Sequence, residues 1–489
     1  MKELAAIIQS LDKRELEVYS KLYRSGNKKD PNKAEMLFDY LLEHSNTTNT
    51  EVAAALFANS KSSVSALSHL KKKLHNQLSV VLIAIDAEDE TDAGKDADYN
   101  TALRIVTRKY LERGVLVKKK VNNAAYSLSE EIYKYAKEYE IFHFWAISLM
   151  EVLASNASKG EKYITAVSKE IDHALNCFLK FYKGDMMLWE LTPAMYLKNK
   201  EAEFIDRAKQ IVATLKEYTK ETQSDTILMN QLEGQMFLAE FERKPKDALT
   251  YAREKYELVT TSKALNRKGI IRASRNQLII ALINNGEFEE ADKWAYTYLH
   301  EIPPQTIIVY ADNAFRAALF SRSFKHCEEY LNLYKKSPRF NKEEALTTQY
   351  YFYRAALAFY QRDFDNVFTH TANTGWMIRD KTGWGLGVKL IEILAYIELG
   401  QTDMVMYRIK ALWQLLFRNQ SKNIARIKTV SHLLYALLQS GFNYRKVVEK
   451  EKNKMAELRD GTGVFYWDPT GYEIVRFDWW LDEKMKRTR

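Results

Sequence analysis

The chain has 489 residues, of which 46% are apolar and 28% charged, with a formal net charge of +9. This composition excludes a disordered or collagen-like chain, and the length points to several domains or a repeat array rather than one core. Only 7 prolines and 17 glycines occur, too few turn signals for a strand-rich fold, so an all-α protein with short loops is expected.

The opening MKELAAIIQSLDKRELEVY is charged from its second residue and lacks the apolar run of a signal peptide. The longest aliphatic run, Val80–Ile85, is far too short to cross a bilayer, so no membrane association and a cytoplasmic location are expected. Residues 1–85 read as a small helical module. Within it, the stretch Asn49–Leu78 reads NTEVAAALFANSKSSVSALSHLKKKLHNQL. On a helix, Val64, Leu67, Leu70, Leu74 and Leu78 share one face. Lys61, Ser62, Ser65, His69, Lys72, Lys73 and Asn76 lie opposite, with no acid among them. That face offers donors to phosphates and base edges. It also suits the solvated or protein-docking side of a core helix, and that reading is preferred.

Glu51, Val52, Ala53 and Leu56, followed by Ser60, Ser63 and Val64, resemble the LuxR-type and sigma-factor-type helix-turn-helix. The turn LFANSK is one residue longer than that pattern. The resemblance implies DNA contact through Lys61, Ser62, Ser65, His69, Lys72 and Lys73.

Asp86–Asp98 (DAEDETDAGKDAD) holds seven acids, one lysine and no bulky apolar residue. It reads as an acidic, solvated linker over 86–98. Beyond it, Arg104–Lys120 is basic with only Glu112 opposing, and residues 99–489 keep a helical period throughout.

The clearest unit there is NQLIIALINNGEFEEADKWAYTYLHEIPP, Asn276 to Pro304. Leu278, Ala281 and Leu282 mark a first helix, and Asn284–Gly286 a turn. Phe288, Ala291, Trp294, Ala295 and Tyr298 then form the inner face of a second helix that Pro303–Pro304 ends. This unit resembles a tetratricopeptide repeat. Gly286, Phe288, Ala291 and Pro303 stand where that family carries glycine, an aromatic residue, alanine and a closing proline, while Ile279 replaces its small residue. Looser copies centre on Pro245 and Ala248, Phe324 and Cys327, Phe364 and Val367, Gly400, and Gly441, at intervals of about 36 to 43 residues. The resemblance implies an irregular tetratricopeptide-like α-α solenoid over 99–489, binding a protein or peptide along its inner helices. The closing YWDPTGYEIVRFDWWLDEKMKR, about 466–489, reads as a helix capping the last repeat.

The nine histidines are scattered without metal-ligand spacing, and Cys177 and Cys327 sit singly in apolar-periodic segments as core residues. Gly383–Gly387 (GWGLG) has no preceding strand and reads as a turn between repeats rather than a phosphate cradle. The rings of Gln349–Tyr360 suit helix packing better than base stacking. No catalytic residue, metal or cofactor is assigned. Met404–Val448 contains no acid. Arg408, Lys410, Arg418, Lys422, Arg426 and Lys428 are therefore read as a patch for an acidic partner.

A second resemblance concerns the whole layout. Leu11, Lys13, Glu15 and Leu16, then Leu37, Tyr40 and Leu41, then Leu67, Leu70 and Leu74, resemble the front module of a group of large bacterial helical proteins. Trp480, Leu481 and Lys484 match that group's closing helix. It implies architecture and no activity. The expectation is a non-enzymatic protein- or peptide-binding scaffold or regulatory protein. The alternative is a transcriptional regulator with its front module on DNA and its solenoid sensing a protein or peptide.

Overall fold

In a computed structural model of the chain, every regular element among the described residues is helical. The described residues are all but 25–31, 45–46, 58–62, 89–97, 197–200, 303–306, 341, 381–382, 419–424, 462 and 488–489. The all-α expectation holds. The chain divides into two compact units, Met1–Leu175 and Asn176–Arg489. This division falls within a helix, and residues 89–97 of the expected linker lie outside the described residues.

The first unit opens with α1 (Lys2–Ser10), α2 (Lys13–Tyr23), α3 (Lys33–Glu43), α4 (Asn49–Phe57) and α5 (Ser63–Glu88). Their starts are set by side chains that satisfy free amides of the first turn. Asp12 and Glu15 form a reciprocal capping box on α2, and Thr48 and Glu51 do the same on α4. Asn32 caps α3 by accepting from the Ala34 and Glu35 amides. Leu67, Leu74 and Leu78 of α5 are buried against Ile8, Tyr19, Leu37, Leu41 and Val52, so the leucine stripe is the core of this module. The unit continues through α6 (Tyr99–Lys118), α7 (Asn122–Glu138) and α8 (Phe142–Asn156) into α9 (Glu161–Tyr196), which crosses the division.

The second unit adds α10 (Glu201–Thr222) and then a series of hairpins. These are α11 (Asp225–Phe241) with α12 (Pro245–Thr261), α13 (Lys268–Asn285) with α14 (Phe288–Thr297), and α15 (Ile307–Phe320) with α16 (Phe324–Lys336). Next come α17 (Glu344–Tyr360) with α18 (Phe364–Thr371), a short α19 (Gly375–Ile378), and α20 (Trp384–Glu398) with α21 (Thr402–Arg418). The last hairpin pairs α22 (Ala425–Gln439) with α23 (Tyr444–Lys450), followed by α24 (Lys452–Asp460) and α25 (Phe477–Arg487). Helices consecutive in sequence pack on each other, and α13 on α15 and α17 on α20 link successive hairpins.

One turn recurs through this series. Arg243, Gly286, Arg322, Arg362, Gly400 and Gly441 each end a first helix with positive φ. In the first five hairpins the next amide reaches back to the carbonyl five residues earlier, as from Glu287 to Leu282, Ser323 to Ala318 and Asp363 to Ala358, at 2.8 to 3.0 Å. This left-handed cap closes the first helix and aims the second back along it. Five residues past each of those turns, Ala248, Ala291, Cys327, Val367 and Val405 are buried where the two helices meet. Lys120 and Glu140 make the same turn in the first unit, ahead of α7 and α8.

The C-terminal segment does more than cap the last hairpin. It lies against four first helices. Arg316 on α15, fully buried, donates to the Pro469 and Gly471 carbonyls at 2.8 and 3.0 Å. Tyr360 on α17 donates to the Ile474 carbonyl at 3.2 Å. Gly387 on α20 meets the Tyr472 carbonyl so closely that a Cβ would lie 2.3 Å from its oxygen. Arg426 on α22 binds the Phe465 carbonyl and the Glu473 carboxylate. Trp467 packs on Phe288, Phe320 and Trp479, and the Arg476 guanidinium lies over both tryptophan rings. Contacts reach back to the turn residue Arg243, which donates to the Gly463 carbonyl.

Candidate interaction surfaces

The basic patch expected in 404–448 is rearranged by folding. Arg426 is the correction: it is buried, and its guanidinium binds Glu473, Asp478 and the Leu458 and Phe465 carbonyls. Its charge is spent inside the protein because a buried guanidinium needs every donor matched. Arg408 pairs with Glu392 at 3.4 Å and lies over the Tyr396 ring. The Arg418 side chain and Lys422 lie outside the described residues. Lys410 and Lys428 remain exposed.

Around those two lysines stand aromatic residues that the charge count overlooked. Val405, Ile409, Leu412 and Leu416 bury one side of α21, so Met406, Tyr407, Lys410 and Trp413 fall on the other. Tyr407 is 66% exposed, and Trp413 and Tyr435 are also exposed, with ring centroids 5.9 Å apart across α21 and α22. The Trp413 indole N–H donates to the Ser431 carbonyl at 3.4 Å, which fixes the ring while leaving its face open. Lys410 lies one turn before Trp413, and Lys428 about two turns before Tyr435. The i, i+3, i+6 spacing of Tyr407, Lys410 and Trp413 carried this signal in the sequence.

On α5, Ser65, His69, Lys72 and Lys73 are all exposed, whereas Lys61 and Ser62 lie outside the described residues, as does most of the LFANSK turn. His69, Lys72, Lys73, Asn76 and Val80 line a shallow basin of about 410 Å³ closed on one side by Tyr23 of α2. The two sides of α5 thus separate as expected: leucines inward, lysines and polar groups outward.

The other expected features resolve into packing. Both cysteines are buried, and burial pushes the Cys327 thiol well above its ordinary range. The GWGLG stretch, expected as a turn, is instead the start of α20 from Trp384 onward, and the Asp380 carboxylate accepts from the Gly383 and Trp384 amides at 3.1 and 2.9 Å. Those are the amides an anion would need. Tyr350, Phe352, Tyr353 and Phe359 are core residues. A cavity of about 360 Å³ beneath α25 is lined by Arg322, Arg362, Arg476, Glu398 and Glu483. Its cations are already matched: Arg322 to Glu483, Arg362 to Glu398 and Arg476 to Asp478. Among the described residues no helix is long and apolar enough to cross a membrane, and no group of three or more potential ligands is placed to hold a metal ion.

No family model matches the chain, and no curated protein matches it.

Proposed function

We propose that the chain is a non-enzymatic interaction protein, an irregular tetratricopeptide-like array that receives an acidic polypeptide segment on its α21–α22 face. The exposed Trp413–Tyr435 pair beside Lys410 and Lys428 carries this reading. Interface anchors are typically large aromatic rings held in place before binding, and flanking lysines favour an acidic partner through charge complementarity. In arrays of this type partners usually lie along the stacked first helices. Here the chain's own C-terminal segment rests against α15, α17, α20 and α22, which favours a different face for the partner.

The probe is a fluorescein-labelled peptide alternating glutamate with leucine and phenylalanine, titrated with the full chain. Anisotropy should saturate, weaken with added salt, and lose at least about tenfold in affinity in Trp413→Ala. Equal binding of the same peptide with lysine in place of glutamate would remove the acidic partner. Tighter binding of single-stranded DNA, lost in Trp413→Ala, would reassign the face to nucleic acid.

A second reading rests on the joint exposure of Ser65, His69, Lys72 and Lys73 on α5: the first unit contacts DNA and the array senses a partner. Random duplex DNA should then bind with a steep salt dependence that flattens when Lys61, Lys72 and Lys73 become glutamate. Undetectable binding at low salt ends this reading.

A further inference from the structure

In the second unit, the part of α9 from Leu179 to Trp189 has two unlike sides. Gly184, Leu188 and Leu191 face inward, with Leu188 and Leu191 buried among Ala208, Ile211 and Leu215. A Cβ at Gly184 would lie 2.9 Å from a Leu215 methyl, so the helix sits tightly on α10. Lys180–Glu221 and Arg207–Glu190 ion pairs tie its flanks to α10 as well. The outward side is apolar. Leu179 and Tyr182 are more than half exposed, Met186 is 70% exposed and Trp189 73%.

These four residues step by three, four and three positions. That is the a/d spacing of a helix seam built to meet another helix, and it is sharper than the scattered exposed leucines of an ordinary surface. A rigid helix presenting tryptophan, methionine, tyrosine and leucine in one row is costly in water unless covered.

The charges beside the row point to the occupant. Lys183 and Glu190 are seven residues apart and therefore lie on the same edge of the seam, both exposed. In an antiparallel pair centred between them, each Lys183 faces the partner's Glu190, whose Oε1 is not used by the Arg207 pair because both Arg207 bonds go to Oε2, and this gives two symmetry-related ion pairs. Met186 then packs on the partner's Trp189, a sulfur–aromatic contact repeated by the two-fold. A parallel pair would instead set Asp185 of one copy beside the partner's Glu190, acid against acid. We propose that two copies of the chain associate through antiparallel packing of this α9 stripe.

The stripe spans only about 15 Å of helix, so the dimer is weak, with a dissociation constant on the order of micromolar to tens of micromolar. This surface is separate from the α21–α22 face, and neither proposal depends on the other.

Sedimentation velocity of the full chain over roughly 1 to 200 µM tests it. The wild type should pass from monomer to dimer. Met186→Glu should sediment as monomer throughout, with unchanged helical circular dichroism because the position is exposed. Leu179→Glu serves as a second variant with the same expected loss. Lys183→Glu, and Glu190→Lys made together with Arg207→Glu so that the tie to α10 is kept, should each weaken the dimer several-fold, and the double exchange in that background should restore it. As an independent readout, Met186→Cys should yield a covalent dimer under mild oxidation. A wild type that stays monomeric over the whole range overturns the proposal. So does a dimer that survives both glutamate variants, or a double exchange no better than its singles.

Discussion

The Arg426 guanidinium and the Glu473 carboxylate form two hydrogen bonds, of 2.6 and 3.1 Å, with both side chains buried. The same guanidinium also binds Asp478 at 2.7 Å and the Leu458 and Phe465 carbonyls at 2.9 and 3.1 Å. One side chain of α22 therefore gathers α24, the C-terminal segment and the start of α25. Desolvating an arginine is costly, and here the matching of every donor offsets that cost.

Removing Arg426 leaves Glu473 charged and buried without its main partner, while Asp478 keeps Arg476. Arg426→Ala should destabilise the chain by about 3 to 5 kcal/mol, read as a lowered urea midpoint. Arg426→Lys should recover only part of this, because one ammonium cannot reach five acceptors spread over three segments. An unchanged midpoint in Arg426→Ala would show that the C-terminal segment is held without this clamp.

Stability should also depend on pH through Glu240 of α11. Burial, with the charges of Asp468 and Glu233 adding to it, pushes its carboxyl up from 4.5 to about 7. Between those values the folded chain holds the proton and the unfolded chain gives it up. Stability from this group is complete below pH 4.5 and is lost as pH rises through 7, by at most about 3 kcal/mol. Urea midpoints should fall from about pH 5 to about pH 8 in the wild type, and the slope should flatten in Glu240→Gln. A variant that keeps the full slope would assign it to another group.

The contact between α20 and the C-terminal segment gives a steric prediction. With a Cβ 2.3 Å from the Tyr472 carbonyl oxygen, Gly387→Ala has no flexible side chain to displace, and backbone must shift. A loss of about 1 to 3 kcal/mol is expected from such overpacking. Gly114 has open space beside its Cβ direction, so Gly114→Ala on α6 should be neutral or slightly stabilising. Comparing the two unfolding midpoints separates the close approach from general helix propensity.

Much of this was legible in the sequence, and the gaps have physical causes. Apolar periodicity marked the leucine stripe of α5 and the hairpin of α13 and α14, because burial depends on local spacing. Long-range use of polar groups leaves no such trace. Arg426 counts as a surface charge in sequence, yet Glu473 lies 47 residues away and turns it into a core group. Arg316 is a lone cation in an alanine-rich run, and only the fold brings Pro469 and Gly471 to it. The exposed Trp413 was within reach, since Tyr407, Lys410 and Trp413 share a helix face. Glycine does not mark every turn: Arg322 and Arg362 take its place in hairpins located from Phe324 and Cys327 and from Phe364 and Val367.

That substitution of the turn residue leads to a further prediction. Lys120 ends α6 at φ 63° and is exposed, with the Val121 amide closing the cap on the Leu116 carbonyl at 2.9 Å. A side chain in this left-handed region costs roughly 1 to 2 kcal/mol, whereas glycine adopts it freely. Glycine also gains freedom in the unfolded chain, which returns part of the benefit. Lys120→Gly should therefore stabilise the first unit by about 0.5 to 1 kcal/mol. Gly286→Lys, with φ 84° at the matching turn of α13, should cost about 1 kcal/mol or more. Hydrogen exchange can assign each change to its own hairpin. Opposite signs for the two exchanges are expected; loss of protection around α6 and α7 in Lys120→Gly would mean that the lysine side chain, and not its backbone angle, sets this turn.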